Sequence, residues 1–558
     1  MNKIQFKQIC WVLFFLLCSV ISKAQLSGIY TIGGTSPDYS TINAAVTDLV
    51  AQGVTGAVVF NIRDGIYNEQ VIINTIPGAS VLNTITFQSE NGDSSLVTIV
   101  NASITNTANY TVNLDSASFI TLRHVTLQAT GLVYSNVLKF SNGSCHNQIF
   151  NCMFKGILKG GKLIYSDLHI DSANVIMNNL LLNGAIGIEF ALQPGSNDIE
   201  TGNSVINNTF IDQCVGVIGF GNQKNLLIKN NFIYSSVIHT NQNGNGWTGI
   251  SFGKCYDNVE VSGNKVILKA DSCGGWIWGI SMNGYLGSSN EGVKIINNTV
   301  DITNYYNTAT AIVYGIYLQP GIFVHLYNNS VRTEGNNANM FTFCSNPSYN
   351  SRIFNNIFAN FSVNDSSTAV KIAGDFGTNV MNYNCLYSTS KNLALMSNNN
   401  NYLESLSDWQ QLTGADSNSI SCNPMFTDSL LHVSSSSLVC GRGLYLSEVT
   451  DDIEGSIRNN PPTIGAYELD NCYTGFKEVA NSALSLSIYP NPATNTLNIE
   501  SATKFSQLVI SDVLGNVVIQ QQVFNKAVSV DVSGLDRGIY FVRVEGMEGN
   551  FVKIFVKE

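Results

Sequence analysis

Charge is scarce in this chain of 558 residues: Asp, Glu, Lys and Arg together make up 12% of it, about half the usual share. With 28 basic against 39 acidic residues, it has no basic surplus to neutralise a phosphate backbone, so nucleic acid is a poor partner. Long apolar runs are equally rare. The one such run, from about Ile9 to Ile21, follows Lys3 and Lys7 and precedes Ser22-Lys23-Ala24. It is too short for the ~30 Å core of a bilayer, and its flanks are those of a secretory signal peptide over residues 1–24. Cys18, in LLCSV, lacks the small residues that precede a lipidated cysteine. No transmembrane segment is expected in the mature chain. Loss of Lys3, Lys7 and Lys23 with the leader takes the formal net charge from −11 to −14.

Metal-type cysteine spacings are also missing. The chain has 12 cysteines but no Cys-x-x-Cys and no Cys/His cluster, which excludes the usual zinc and dithiol motifs. In an oxidising compartment Cys145/Cys152 and Cys255/Cys273 are near enough in sequence to pair, although spacing does not fix the connectivity. Packing of isolated cysteines in the interior is the alternative.

What is present in abundance is a pair of asparagines between apolar runs. It occurs in VIMNNLLL, VINNTF, LIKNNFI, VKIINNTV, VHLYNNSV and SRIFNNIF, with weaker copies in NQIFNCMF and VEVSGNKV. The second residues of these pairs, Asn179, Asn208, Asn231, Asn264, Asn298, Asn329 and Asn356, are 29, 23, 33, 34, 31 and 27 positions apart. A period in this range marks a solenoid. The units are short strands without helical periodicity, so each is a coil of β-structure. Asn suits a bend between strands because it tolerates the left-handed region, and stacked amides can bond along the axis. A second register of glycines, in GIEF, GVIGF, GISF, GISM and GIYL, marks another corner. The expectation is an all-β chain: a right-handed parallel β-helix, with coils over about 55–440, followed by a small antiparallel β-sandwich.

Open solenoid ends need covers. At the N-terminal end, Ser40 or Thr41 can cap a helix whose Ile42, Ala45, Val46 and Leu49 share one face. The Gly65-Ile66-Tyr67-Asn68-Glu69 turn that follows resembles the entry to pectin-degrading β-helix enzymes, pectinesterases in particular. That resemblance implies architecture only. The paired aspartates and the Gln and Arg/Trp motifs it would require are not present, and Asp375-Phe376-Gly377 and Gly441-Arg442-Gly443 are fragments of them. At the far end, DDIEGSIRNNPPTIGAYELD resembles the closing segment of exported β-helix proteins, in which Arg458 would pair with Asp452 or Glu468 and pin the last coil. The β-helix with both covers is assigned to 25–470 and a linker to 471–484.

Residues 485–558 alternate apolar and polar positions between turns. They resemble the C-terminal sorting domain of the type IX secretion system of Bacteroidetes. The resemblance rests on Tyr489-Pro490-Asn491-Pro492, Asp512-x-x-Gly515-Asn516, Leu535-x-x-Gly538-Ile539-Tyr540 and Val552-Lys553-Ile554. It implies partnership with the type IX machinery, passage through the periplasm, and release or attachment to the outer surface through lipopolysaccharide.

Two features are candidate sites. In SDLHIDS, Asp167, His169 and Asp171 alternate, which on a strand places them on one face. Such a set holds a divalent cation such as Ca²⁺, or does acid–base work on a sugar. The plainer reading is a solvated outer face. The other feature is aromatic. Trp276 and Trp278 share a face, Trp247 lies one coil earlier, and Tyr256, Tyr285, Tyr305, Tyr306 and Tyr314 fall in the same region. Stacked coils would align such rings into a platform for sugars, unless they fill the core. Three functions fit: a secreted or cell-surface protein that binds polysaccharide, a divergent polysaccharide-degrading enzyme (lyase, hydrolase or esterase) of the pectin-lyase-like class, or a structural or adhesive surface protein.

Overall fold

The computed structural model describes residues 25–166, 169–190, 198–236, 246–270, 275–285, 292–305, 311–319, 323–337, 339–346, 349–374, 376–470, 472, 486–501, 504–512, 516–546 and 549–558. The leader, and the linker except for Cys472, lie outside them. The chain forms two compact units, 1–473 and 474–558. The first is the right-handed parallel β-helix that the asparagine period predicts.

Each full coil supplies three strands. One coil reads Val259–Ser262, Lys265–Lys269 and Trp276–Tyr285, and its successor reads Val293–Ile296, Thr299–Asn304 and Ile312–Gln319. The first strands of successive coils build one 13-stranded sheet from Leu26–Ile32 to Val380–Asn382. The second and third strands stack in the same way, register intact: Val266 lies over Val300 and Ile280 over Ile316. Alternation sends Val, Ile and Phe inward to a continuous core. Rings stack there along the axis, as in the paired Phe60 and Phe87 at 4.8 Å, the natural spacing of paired strands, and across it, as in Phe343–Phe358.

The two asparagines of each pair divide the work of the corner. The first takes the left-handed conformation, with φ between 53° and 58° at Asn178, Asn207, Asn230, Asn297, Asn328 and Asn355. The second is buried and forms a ladder. The Asn298 Oδ1 accepts from both the backbone N–H (2.9 Å) and the Nδ2 (2.9 Å) of Asn264, and its own Nδ2 donates to the Val261 carbonyl (2.9 Å). The same rung repeats at Asn179, Asn208, Asn231, Asn329, Asn356 and Asn384. The weaker copies follow the rule: Gly263 takes the bend with φ 66° before Asn264, and Asn151 bends before Cys152, whose N–H donates to the Asn179 Oδ1. Backbone donors that a sharp corner would otherwise orphan are thereby satisfied.

The glycine register holds at four of its five copies. Gly187, Gly249, Gly279 and Gly315 face inward, where an added Cβ would lie within 2.7 Å of the next coil or a facing side chain. In GVIGF the inward place belongs to Val217, and Gly216 faces outward in register with Thr248.

Both ends are covered. Thr41 caps the helix Ile42–Gln52, and the Glu69 carboxylate accepts from the Ile42 and Asn43 N–H groups at 3.0 and 2.9 Å. The Gly65–Glu69 turn therefore fastens the N-terminal cap. The stack of parallel strands stops at Ala394–Met396, with one further parallel bridge between Ile420 and Cys385, because Asn401–Leu403 pairs back antiparallel and the helix Leu406–Thr413 follows. The chain then returns along the asparagine corner: the Asn355 amide bonds Leu444, and Asn297 donates to the Asp451 carbonyl at 2.7 Å. Arg458 is buried, 3.4 Å from Glu468, and its Nη2 donates to the Asn297 Oδ1 at 2.7 Å. It pins earlier coils and not the last one. Of the expected disulfides, Cys145 and Cys152 are free thiols, as is Cys255, while Cys273 lies outside the described residues. The bridge that forms is Cys440–Cys472, inside the closing segment.

The second unit is a small sandwich of a three-stranded and a four-stranded antiparallel sheet around Leu497, Ile499, Leu508, Val542 and Phe555. Asn491 is bonded through its side chain to the Ile554 carbonyl (3.1 Å) and the Val556 N–H (2.8 Å). Tyr489 donates to Glu500, and Gly538 opens the strand Gly538–Gly546. Pro490 and Pro492 flank Asn491 between strands, and Gly515 lies outside the described residues.

The division of labour at the corner predicts opposite outcomes for adjacent substitutions. Asn208→Ala strands two buried donors of Asn179 and should destabilise the β-helix by roughly 2–3 kcal/mol. Asn207→Gly, at an exposed left-handed position, should change stability by less than about 0.5 kcal/mol. Urea denaturation followed by circular dichroism separates the two.

Candidate functional site: a glycine-floored trough beside an aromatic wall

The structure parts His169 from Asp171, and Trp247 from the stacked Trp276 and Trp278. Asp167 lies outside the described residues, His169 is exposed, and Asp171 is fully buried. The alternation argument fails because the strand Met153–Ser166 ends before this stretch. Asp171 is instead a rung of a second ladder. Its Oδ1 accepts from the Ser144 N–H, its Oδ2 from the Ser166 hydroxyl (2.7 Å), and its own N–H donates to Glu200 (3.1 Å). Among the described residues no group of three or more His, Cys, Asp or Glu is placed to hold a metal ion.

Trp247 also leaves its proposed site. It is 1% exposed, with its Nε1 donating to the Gln213 carbonyl at 3.2 Å. Parity explains it: Trp247 is two residues before the inward Gly249, so it points inward. Trp276 and Trp278 are three and one before the inward Gly279, so they point out. Trp276 is 38% exposed and stacks on Trp278 with centroids 4.2 Å apart. Its indole lies where a Cβ on Gly246 would sit. The wall continues through Tyr317 (5.3 Å from Trp278), Tyr314 (4.5 Å from Tyr317) and Phe341 (5.7 Å from Tyr314). Of the other tyrosines, Tyr305 donates to Glu334, and Tyr306 lies outside the described residues.

Next to this wall the outward positions carry small side chains, with Thr248 and Ser281 buried, as are Tyr317 and Phe341 of the wall itself. In register across the third strands run Glu189, Gly219, Ser251, Ser281 and Tyr317, and beside them Gly216, Thr248, Trp278, Tyr314 and Phe341. Gly216 and Gly221 have ordinary backbone conformations, and a Cβ on either would meet no described atom within 4 Å. Neither backbone conformation nor packing calls for glycine here, and glycine weakens a strand. The floor is bounded on its far side by Glu189, which is paired with Lys162, itself 5.7 Å over the Tyr165 ring. Three strand spacings, about 14 Å, separate Glu189 from Trp278.

At the other end, the Lys371 Nζ lies 4.0 Å over Phe341 and 5.7 Å over Tyr314. Burial holds the ammonium below its ordinary pKa. It has no carboxylate within ion-pairing distance among the described residues. The Trp278 Nε1 is shielded from solvent without a hydrogen-bond partner there. An unpaired cation and an orphaned donor thus lie along one aromatic wall.

Other polar groups are structurally committed. A cleft of about 470 Å³ is lined by Arg332, Phe361, Met425 and Phe426, but Arg332 makes a two-pronged pair with buried Asp301, 2.8 Å on each prong. His432 joins Asp428 (2.7 Å) and Glu454 (3.4 Å), and Glu454 bonds Lys265 at 3.2 Å. That cluster clamps the closing segment to a coil.

Residues 487–558 match the family of the secretion system C-terminal sorting domain. The chain therefore carries a type IX sorting tail and is exported to the cell surface or secreted. No helix among the described residues is long and apolar enough to cross a membrane. Among curated protein sequences nothing matches the chain. Similar solved structures include DFA-IIIase from Arthrobacter chlorophenolicus A6, at 11% identity over 62% of this chain and 94% of that one, TM-score 0.37. Pectin methylesterase from carrot is 11% identical over 63% and 91%, TM-score 0.27. PfbA, a surface adhesin of Streptococcus pneumoniae, is 13% identical over 61% and 90%, TM-score 0.35.

The second ladder gives a pH dependence. Burial pushes Glu200 from its ordinary value up to about 8, against the hydrogen bond it accepts from Gln223, and neighbouring Asp171 is raised as well. The folded state therefore holds these protons more tightly than the unfolded state. The stabilisation is complete below the ordinary carboxylate range and is lost as pH climbs to about 8. The melting temperature should fall between pH 5 and pH 8, and Glu200→Gln should flatten that fall and restore a few kcal/mol at pH 8. Thermal melts of both proteins across that range check it.

Proposed function

We propose that the protein binds polysaccharide in the trough between the Trp276/Trp278/Tyr317 wall and the Lys162–Glu189 pair. It is exported by the type IX system of a Bacteroidetes cell after removal of the signal peptide. Sugar rings present flat apolar faces edged with hydroxyls. The exposed Trp276 covers such a face, and the Ser251 hydroxyl, steadied by the one Ser281 donates to it, bonds the edge. The observation that carries the reading is the glycine strand: Gly216, Gly219 and Gly221 leave room for side chains that no described neighbour fills, at a cost in strand stability. Lys371 adds a preference for a chain bearing carboxylate or sulfate groups.

A second reading is a divergent polysaccharide-degrading enzyme, favoured by the one carboxylate beside the floor, Glu189. Its pairing with Lys162 and the burial of Asp171 and Glu200 favour binding over cleavage. In the adhesive or structural reading the same face would meet a protein. After export, the sorting domain would be removed or would hold the protein to lipopolysaccharide.

Incubation of the full chain with a panel of neutral and acidic polysaccharides, scored for retention and for released reducing or unsaturated ends, tests all three. Retention without release is expected, and no retention on any polysaccharide would sink the proposal. Trp276→Ala should weaken retention at least about 10-fold. Gly219→Val should abolish it while leaving the melting temperature unchanged or higher, since a β-branched residue suits an open strand position. Deletion of 487–558 should leave the protein inside the cell envelope, as read by fractionation.

A further inference from the structure

Two thiols face each other where the closing segment leaves the column. Cys385 opens the strand Cys385–Ser388 in the last coil. Ile420 runs alongside it in parallel: its N–H donates to the Asn384 carbonyl at 2.8 Å, and its carbonyl accepts from Leu386 at 2.9 Å. That pairing delivers the Cys422 Sγ to within 3.8 Å of the Cys385 Sγ, and the Cys385 thiol also donates to the Cys422 carbonyl at 3.3 Å. Cys385 is fully buried and Cys422 partly exposed.

We propose that Cys385 and Cys422 are an oxidation site, at which a disulfide-bearing oxidant closes a second bridge and locks the end cap onto the column. The two are 37 positions apart in sequence, and the stretch between them contains the antiparallel strand Asn401–Leu403 and the helix Leu406–Thr413. These elements cover the open end of the solenoid, which would otherwise expose unpaired strand edges. Cys440–Cys472 already ties the far part of the same segment, and an exported protein matures where disulfides persist.

The two thiols have different roles. Cys422 is the accessible one, and its thiol is held below its ordinary pKa by the hydrogen bond with Cys385 and by the Arg442 charge. Cys385 is pushed well above, by the same contact and by burial. The Cys422 thiolate attacks the oxidant's disulfide, forming a mixed disulfide and releasing one thiolate. Cys385 then passes its proton to that thiolate, attacks the Cys422 Sγ, and expels the second oxidant thiolate, which takes up the proton that Cys422 had shed. Two protein thiols are oxidised and one external disulfide is reduced to two thiols. The sulfurs need only rotate from contact to the ~2 Å of a bond.

The test is incubation of the purified full chain with oxidised glutathione, followed by alkylation of remaining thiols under denaturing conditions and non-reducing peptide mapping. The expected result is a Cys385–Cys422 cross-linked peptide, two fewer alkylatable thiols, and a higher melting temperature than the untreated chain. In Cys422→Ser the treatment should remove neither thiols nor raise the melting temperature. Mapping of the native chain needs no variant. Full alkylation of both cysteines after treatment, a glutathione adduct that persists on Cys422, or linkage of either cysteine to a different partner would overturn the assignment.

Discussion

The corner amide carries this structure. A chain that turns sharply every few residues exposes backbone donors that neither strand can satisfy, and in a buried corner each orphan is expensive. The Asn179-to-Asn384 ladder satisfies them with neutral groups, each amide bonding the next coil and reaching back to a carbonyl three residues before the preceding rung. Neutrality matters because the stack is dry. A file of carboxylates would repel itself, and where carboxylates do enter a ladder, at Asp171 and Glu200, burial drives them toward the protonated form. The scarcity of charge in the composition is thus partly a consequence of how the corners are built.

Once the ladder fixes the axis, side chains at equivalent positions of successive coils become neighbours about 4.8 Å apart, whatever the loops between them do. That is how residues from five coils form a wall of Trp276, Trp278, Tyr314, Tyr317 and Phe341 facing a floor of Gly216, Gly219 and Ser251. The same regularity explains the glycines of opposite meaning. Gly249, Gly279 and Gly315 have no room for a Cβ, whereas Gly216 and Gly221 have room and leave it unused. Packing accounts for the first group. Among the described residues no contact accounts for the second.

The closing segment is held by polar contacts more than by a core of its own. Arg458, almost wholly buried and lowered to about 10 by desolvation despite Glu468, gathers the Asn297 amide and the Gly465 and Ala466 carbonyls. Asn328 and Asn355 bond the Gly465 and Leu444 carbonyls in the same way, so the residues that turn the column also dock its cover. The Cys440–Cys472 cross-link supplements a cover that has little regular structure.

The sequence alone determined the coil, the identity of its corner residues, the helix Ile42–Gln52 as a cover, and the sorting tail, because each depends on local chemistry repeated at fixed spacing. The parity of tryptophans against the inward glycines was also legible, and would have placed Trp247 in the core. Other features had no local signature. Asp171 left its expected face because strand alternation stops at Ser166 and the next residues enter a corner. Glu189, Gly219, Tyr317 and Lys371 are far apart in the chain and ordinary in composition. Only stacking decided that they would share one surface, since the register between coils is set by the ladder and not by the residues it aligns.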